Sequence, residues 1–216
     1  MMSHSKTESH DNTLSLEQSL RQFLLSDRCL IETDFCRIMK SRGSDKCSNW
    51  HNYTPTYNFL FSSIRDTCKE VFEVGIFFGS SVRGWSDYFH NARITAADVD
   101  KNCLVNEGRI ESHLCDQDSA DSIASLWKSI NNRTFDIMID DGKHEYSSNM
   151  NFLRNSIGQL NKGGIYIVED LTRETYSRMS ADLESLKRDL CLDELFLLDI
   201  PNPLNSVDNR LMIAIK

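Results

Sequence analysis

The chain has 216 residues, an apolar fraction of 40% and a formal net charge of −8. That length and apolar content suit one α/β core, and the negative charge, without any Lys/Arg run, argues against a nucleic-acid surface, which needs a basic face. No apolar stretch approaches the roughly 18 residues of a membrane span, and the seven cysteines lack CxxC pairing, so they read as reduced thiols of a cytoplasmic protein, not as a disulfide or zinc framework.

The polar start, "MMSHSKTESHDN", lacks the apolar centre of a signal peptide, and residues 1–12 are expected to form a disordered tail. Ser15 with Gln18 matches a capping box, and Leu16, Leu20, Phe23 and Leu24 then make one helical stripe. A second short helix is expected from Thr33 to Ser41, stopping at Gly43. Tyr57, Leu60, Phe61 and Ile64 mark a third. Residues 13–69 therefore read as a helical cap segment and 70–216 as an α/β core, in a single domain.

From Val71 short apolar strands alternate with helices: "VFEV" (71–74), "ITAA" (94–97), "RIESHL" (109–114), "FDIMI" (135–139) and "GIYIV" (164–168). Strands this continuously apolar predict a parallel sheet covered by helices on both faces. "ELFLLDI" (194–200) and "RLMIAIK" (210–216) are joined by a link too short for a helical crossover, so they predict an antiparallel hairpin at the end. Trp50, Trp85 and Trp127 are expected in the core.

"FEVGIFFGSS" (72–81) follows the first strand and opens a helix. Gly75 permits a tight turn, and Gly79 lets the helix start, with Ser80, approach a ligand. Asp98 ends the next strand 23 residues after Gly75, near the distance at which an acid meets a ribose hydroxyl. The alternative is structural: both glycines serve the turn and Asp98 caps a helix. A nicotinamide dinucleotide fits less well, because the loop lacks GxGxxG and Ile76, Phe77 and Phe78 would crowd a pyrophosphate.

Glu73, Gly75, Gly79 and Asp98, with five parallel strands and a terminal hairpin, resemble a class I S-adenosylmethionine-dependent methyltransferase. The resemblance implies a Rossmann-like, seven-stranded fold in which Glu73 fixes the glycine loop or the methionine amine. It implies that Asp98 holds the ribose hydroxyls and that Asp116 and Gln117 of "CDQDS" (115–119) lie by the adenine.

"FDIMIDDGKHEY" (135–146) places Asp140, Asp141 and His144 where a strand ends, and "GGIYIVEDL" (163–171) places Glu169 and Asp170 at the next tip. Adjacent tips of a parallel sheet share an edge. Carboxylates converging there repel unless a cation joins them, and oxygen-only ligands favour Mg²⁺ over zinc. The spacing resembles the metal-dependent sugar O-methyltransferases of macrolide and aminocoumarin antibiotic pathways and their glycan-modifying relatives. That resemblance implies Asp141, Glu169 and Asp170 as ligands of Mg²⁺ or Mn²⁺, Asp141 and His144 as catalytic residues with His144 the general base, and Asp140 near the cofactor. Lys143 stands where the family usually has Ser. "SDKCSNWHNYTPTY" (44–57) resembles the segment lying over cofactor and substrate, implying Lys46 and Tyr53 as cofactor contacts and His51, Asn52 and Tyr57 as substrate contacts. The implied activity is methyl transfer from S-adenosylmethionine to a sugar hydroxyl of a small-molecule or glycan acceptor, with a phenolic or catechol acceptor as the alternative. Homo-oligomerisation is compatible with it.

Overall fold

The computed structural model describes residues 14–200 and 202–216; the expectation for residues 1–12 lies outside them. Helix α1 (Leu16–Leu24) opens with the expected capping box: the Gln18 N–H donates to Ser15 Oγ at 3.2 Å, and the Ser15 N–H donates to Gln18 Oε1 at 3.1 Å. Helix α2 (Asp34–Ser41) is capped by Thr33, and the chain leaves it through Gly43 at φ +72°. Helix α3 (Thr54–Phe61) starts with Pro55 in its first turn, where a missing N–H costs nothing. It ends before Ile64, one turn earlier than its apolar spacing suggests, and residues 62–67 form turns.

The remaining elements alternate: β1 (Glu70–Val74), α4 (Ser80–Tyr88), β2 (Arg93–Asp98), β3 (Ile110–Leu114), α5 (Ala120–Ser129), β4 (Phe135–Asp140), α6 (Tyr146–Ser156), β5 (Leu160–Val168), α7 (Arg173–Asp189), β6 (Glu194–Asp199) and β7 (Arg210–Ile215). The sheet order is β3-β2-β1-β4-β5-β7-β6. The first five strands pair in parallel, and β7 runs antiparallel to both β5 and β6. This is the expected seven-stranded sheet with its terminal hairpin. β5 begins at Leu160, before the apolar run, because Leu160 already pairs with Phe135 across a register shift.

The order reverses between β1 and β4, and ligands of open α/β sheets bind outside the strand ends at such a switch point. One face of the sheet is covered by α5, α6 and α7, where Phe72 packs on Trp127, Phe135 and Phe152 with ring centroids 4.9, 5.3 and 5.9 Å apart. The other face carries α4 and the N-terminal helices. Leu20, Phe35, Met39, Tyr57 and Phe61 share a continuous apolar cluster with Ile94, Ile139 and Ile213 of the sheet. Phe35 is its N-terminal anchor, meeting Tyr57 and Tyr88 edge-on and Trp85 at 5.4 Å.

Trp85 and Trp127 are buried as expected, whereas Trp50 is 47% exposed. Trp50 lies in a turn-rich segment with no strand or helix face to turn inward. Phe35→Ala should therefore cost about 3–5 kcal/mol in chemical denaturation, the range for emptying a large buried aromatic site. Trp50→Ala should stay within about 0.5 kcal/mol of the parent. Equal costs would contradict this packing.

Candidate active site

The loop from β1 to α4 passes against the loop after β4, and Gly75 makes this approach feasible. Its φ is +93°, and a Cβ there would sit 1.9 Å from the Asp141 carbonyl oxygen. Beyond it, Phe77 adopts a left-handed φ of +50°, costly for a bulky residue. Asp98 holds this loop: its Oδ2 accepts the Ile76 and Phe77 N–H groups at 2.8 and 3.2 Å, and its Oδ1 accepts that of Asp100 at 2.9 Å. Three donors leave one of a carboxylate's roughly four acceptor positions for a ligand. Glu73 is fully buried beneath the loop, accepting from Ser81 Oγ at 2.7 Å and Trp85 Nε1 at 3.1 Å. These bonds tie the end of β1 to the first turns of α4.

A cleft of about 460 Å³ opens above these strand ends, lined by Gly75, Ser80, Asp98, Asp141, His144 and Asp170 among others. A second hollow of about 340 Å³ adjoins it, with Asp116, Gln117 and Lys143 in its wall, and the two share Gly75, Asp98 and Gly142. Gln117 ties this wall together: its Nε2 donates to Asp140 Oδ1 at 2.6 Å, and its Oε1 accepts from the Lys143 N–H at 2.9 Å. Asp140, expected beside the cofactor, is instead fully buried and lines neither hollow. It also accepts from Asn149 Nδ2 at 3.1 Å, and burial pushes its carboxyl up to about 6. Its role is to staple the loops from beneath.

The tips of β4 and β5 gather the remaining acids. The Lys46 ammonium, 1% exposed, donates to Asp141 Oδ2 and Glu169 Oε2, both at 2.6 Å, and lies 3.4 Å from Glu73 Oε1. Tyr57 donates its hydroxyl to Glu169, and Tyr53 donates to Asp170 Oδ1 at 2.9 Å. His51 Nδ1 lies 3.4 Å from the same Asp170 oxygen, and His144 Nε2 lies 3.8 Å from the other. Burial dominates the electrostatics. It raises the carboxyls of Glu73 to about 7 and of Asp170 to about 8, and that of Glu169 well above its ordinary value. Burial also works against the charge on Lys46, but Asp141, Glu169 and Glu73 outweigh it and keep the ammonium charged.

The expected ligands Asp141, Glu169 and Asp170 come together, but as two overlapping groups. Donor atoms of Asp141, His144 and Asp170 lie within 4.8 Å of one another, as do those of Glu73, Asp141 and Glu169. Lys46 bridges the second group, while the first faces the cleft. Carboxylates outnumbering their ammonium, one edge open, suit a hard divalent ion. His144 is presented from a left-handed backbone, φ +59°, with Nδ1 buried and unpartnered and Nε2 toward the acids.

Four of the expected ligand contacts gather at the acid cluster. Lys46, Tyr53, His51 and Tyr57 contact the acid cluster and are not among the residues lining either hollow. Asn52 borders a separate surface hollow with Cys29 and Lys40. Conversely, Asn205 and Asp208, in the β6–β7 link, join the site unforeseen: the Asp208 carbonyl accepts from Tyr53, and Asn205 Nδ2 lies 3.1 Å from His51 Nδ1. Their only sequence signal is the density of Asn and Asp in that link.

No protein-family model matches the chain. It is similar to the 8-demethyl-8-(2-methoxy-alpha-L-rhamnosyl)-tetracenomycin-C 3'-O-methyltransferase of Streptomyces olivaceus, with 31% identity over 145 residues, 64% of this chain and 37% of that protein. It is also similar to demethylmacrocin O-methyltransferase of Streptomyces fradiae, with 28% identity over 152 residues, 67% of this chain and 38% of that one. The chain thus spans under two-fifths of the length of these curated relatives. Among solved structures, MycE methyltransferase from the mycinamycin biosynthetic pathway, in complex with Mg, SAH and mycinamycin VI, matches with a TM-score of 0.69. The identity is 18%, over 99% of this chain and 68% of that one. The fold is the Rossmann-like fold of methyltransferases, and the curated homologues are sugar O-methyltransferases.

The loop geometry has a direct test. Asp98→Ala strands the Ile76 and Phe77 N–H groups and should lower unfolding free energy by about 1–3 kcal/mol without any ligand. A loss below about 0.5 kcal/mol would mean that the loop holds itself.

Proposed function

We propose that this chain transfers the methyl group of S-adenosylmethionine to a hydroxyl of a sugar on a glycoside or glycan, using a divalent ion and His144 as general base. The observation that carries the reading is the meeting, in one cleft, of the loop held by Asp98 with the open Asp141–His144–Asp170 edge. The rhamnosyl-directed relatives support the choice of acceptor class. A net charge of −8 favours an uncharged acceptor over a nucleic acid. All seven cysteines are unpaired, in keeping with a reducing, cytoplasmic setting. No helix among the described residues is long and apolar enough to cross a membrane.

In this reading Asp98 spends its remaining acceptor capacity on the ribose, and Asp116 and Gln117 flank the adenine in the adjoining hollow. Asp141, Glu169 and Asp170 hold Mg²⁺ or Mn²⁺, which when bound lowers the pKa of an acceptor hydroxyl. His144 takes the hydroxyl proton at Nε2 as the acceptor oxygen bonds to the methyl carbon; the carbon–sulfur electron pair stays on sulfur. His51, Tyr53 and Tyr57 serve by orienting the carboxylates. Holding oxygen, carbon and sulfur in line supplies much of the remaining acceleration.

The test uses rhamnosyl glycosides and catechol as acceptors with labelled S-adenosylmethionine. Glycosides should be methylated and catechol should not; chelation should abolish turnover, and Mg²⁺ or Mn²⁺ should restore it. His144→Ala should lose about 10²–10⁴ in rate, the usual cost of removing a general base. Full activity after exhaustive chelation, or a His144→Ala enzyme above about a tenth of the parent rate, would defeat the metal or base assignment respectively.

A further inference from the structure

Glu73 is a fully buried carboxylate used on one side only. Its Oε2 accepts from Ser81 and Trp85, while Oε1 accepts no hydrogen bond and points at the Lys46 ammonium 3.4 Å away. A buried acceptor left unmade is costly. Lys46 carries three N–H donors, and two of them are committed, at 2.6 Å, to Asp141 Oδ2 and Glu169 Oε2. Those two side chains are two of the three assigned above to a divalent ion. A dication and an ammonium on the same oxygens would repel strongly in this buried setting. Yet a buried ammonium cannot be left without a counter-ion.

We propose that Lys46 is a movable counter-ion with two stations: its ammonium bridges Asp141 and Glu169 when no divalent ion is bound, and withdraws to Glu73 Oε1 when one binds. The inference rests on the metal site of the proposed function, but it concerns binding and not turnover. Withdrawal requires only a short swing of Nζ toward an acceptor already in place. It explains why a carboxylate with one free oxygen is buried behind the acid cluster. Lys46 thereby holds the carboxylates in position before the ion arrives, and Glu73 sets how readily they are released.

Calorimetric Mg²⁺ titration of the full chain tests this through a double-mutant cycle on Lys46→Met and Glu73→Gln. Lys46→Met should bind Mg²⁺ about tenfold more tightly, having lost its competitor, and Glu73→Gln about tenfold more weakly, having lost the second station. In the double variant the Glu73 effect should vanish, leaving the affinity of Lys46→Met. If the two substitutions act only through their net charge, their effects will add and the double variant will bind like the parent; that result overturns the proposal. Weaker binding by Lys46→Met overturns it too, since Lys46 would then be a support for the ligands. Should Lys46→Met fail to fold, NMR of the parent protein with isotope-labelled lysine decides. The slowly exchanging Lys46 ammonium signal should persist in Mg²⁺ and be lost in Glu73→Gln with Mg²⁺; its persistence there overturns the proposal. Absence of Mg²⁺ binding by the parent protein at millimolar concentration would instead defeat the metal reading, and the proposal with it.

Discussion

One buried ammonium among four buried or part-buried carboxylates is the constraint on which the structure turns. Glu73, Asp141, Glu169 and Asp170 come from the ends of β1, β4 and β5, and parallel pairing of those three strands brings them level. Burial already lifts the carboxyls of Glu73, Glu169 and Asp170 even beside Lys46. Without that ammonium the cost of crowding them would rise further, because desolvated like charges are among the costliest arrangements a core can hold. Lys46 lies outside the sheet, in the segment between α2 and α3. The sheet therefore needs the N-terminal segment electrostatically as well as through the packing of Phe35 and Tyr57. That same segment delivers His51, Tyr53 and Tyr57 to the acids, so one short stretch supplies most of the cluster's donors.

Left-handed backbone recurs around the same point. Of the seven non-glycine residues with positive φ among the described residues, four, Asn52, Phe77, His144 and Asp170, lie here, at φ values between +50° and +59°. Each belongs to a segment that either borders the cleft or carries cluster donors. Such conformations persist only where surrounding contacts over-determine them. Here the contacts are visible: Asp98 on the Phe77 N–H, Tyr53 and His51 on Asp170, and the Gln117–Asp140–Asn149 staple beneath the loop carrying His144. Buried and half-buried carboxylates thus pre-set the loops whose exposed faces form the cleft.

Much of this was legible in the sequence, for identifiable reasons. The strands of a sheet buried on both faces are near-continuous apolar runs, so their number, order of appearance and ends could be read closely. The short link at the C-terminus required the hairpin. The acids were legible as a group because polar residues clustered at strand tips have few bland explanations. What could not be read was direction. Lys46, Tyr53 and Tyr57 carry the right chemistry for a ligand, but whether they point up into the cleft or down onto the acids depends on the path of a segment without helical or strand periodicity. Trp50 failed for the same reason. That Asp140 would be buried and bonded to Gln117 and Asn149 could not be read either, because a carboxylate facing a ligand and one stapling a loop occupy the same sequence position. β5 began early because pairing with Phe135, a tertiary contact, overrides local composition.

The central claim is that a methyl donor and a divalent ion occupy one cleft, on opposite sides of the Gly75–Asp141 contact. Anomalous diffraction from crystals grown with Mn²⁺ and S-adenosylhomocysteine tests it most directly. The account predicts an anomalous peak bonded to Asp141, Glu169 and Asp170 oxygens at roughly 2 Å, the ribose against Asp98, and the thioether sulfur directed toward the ion and His144. A peak elsewhere, or a nucleoside bound away from Asp98, would contradict it.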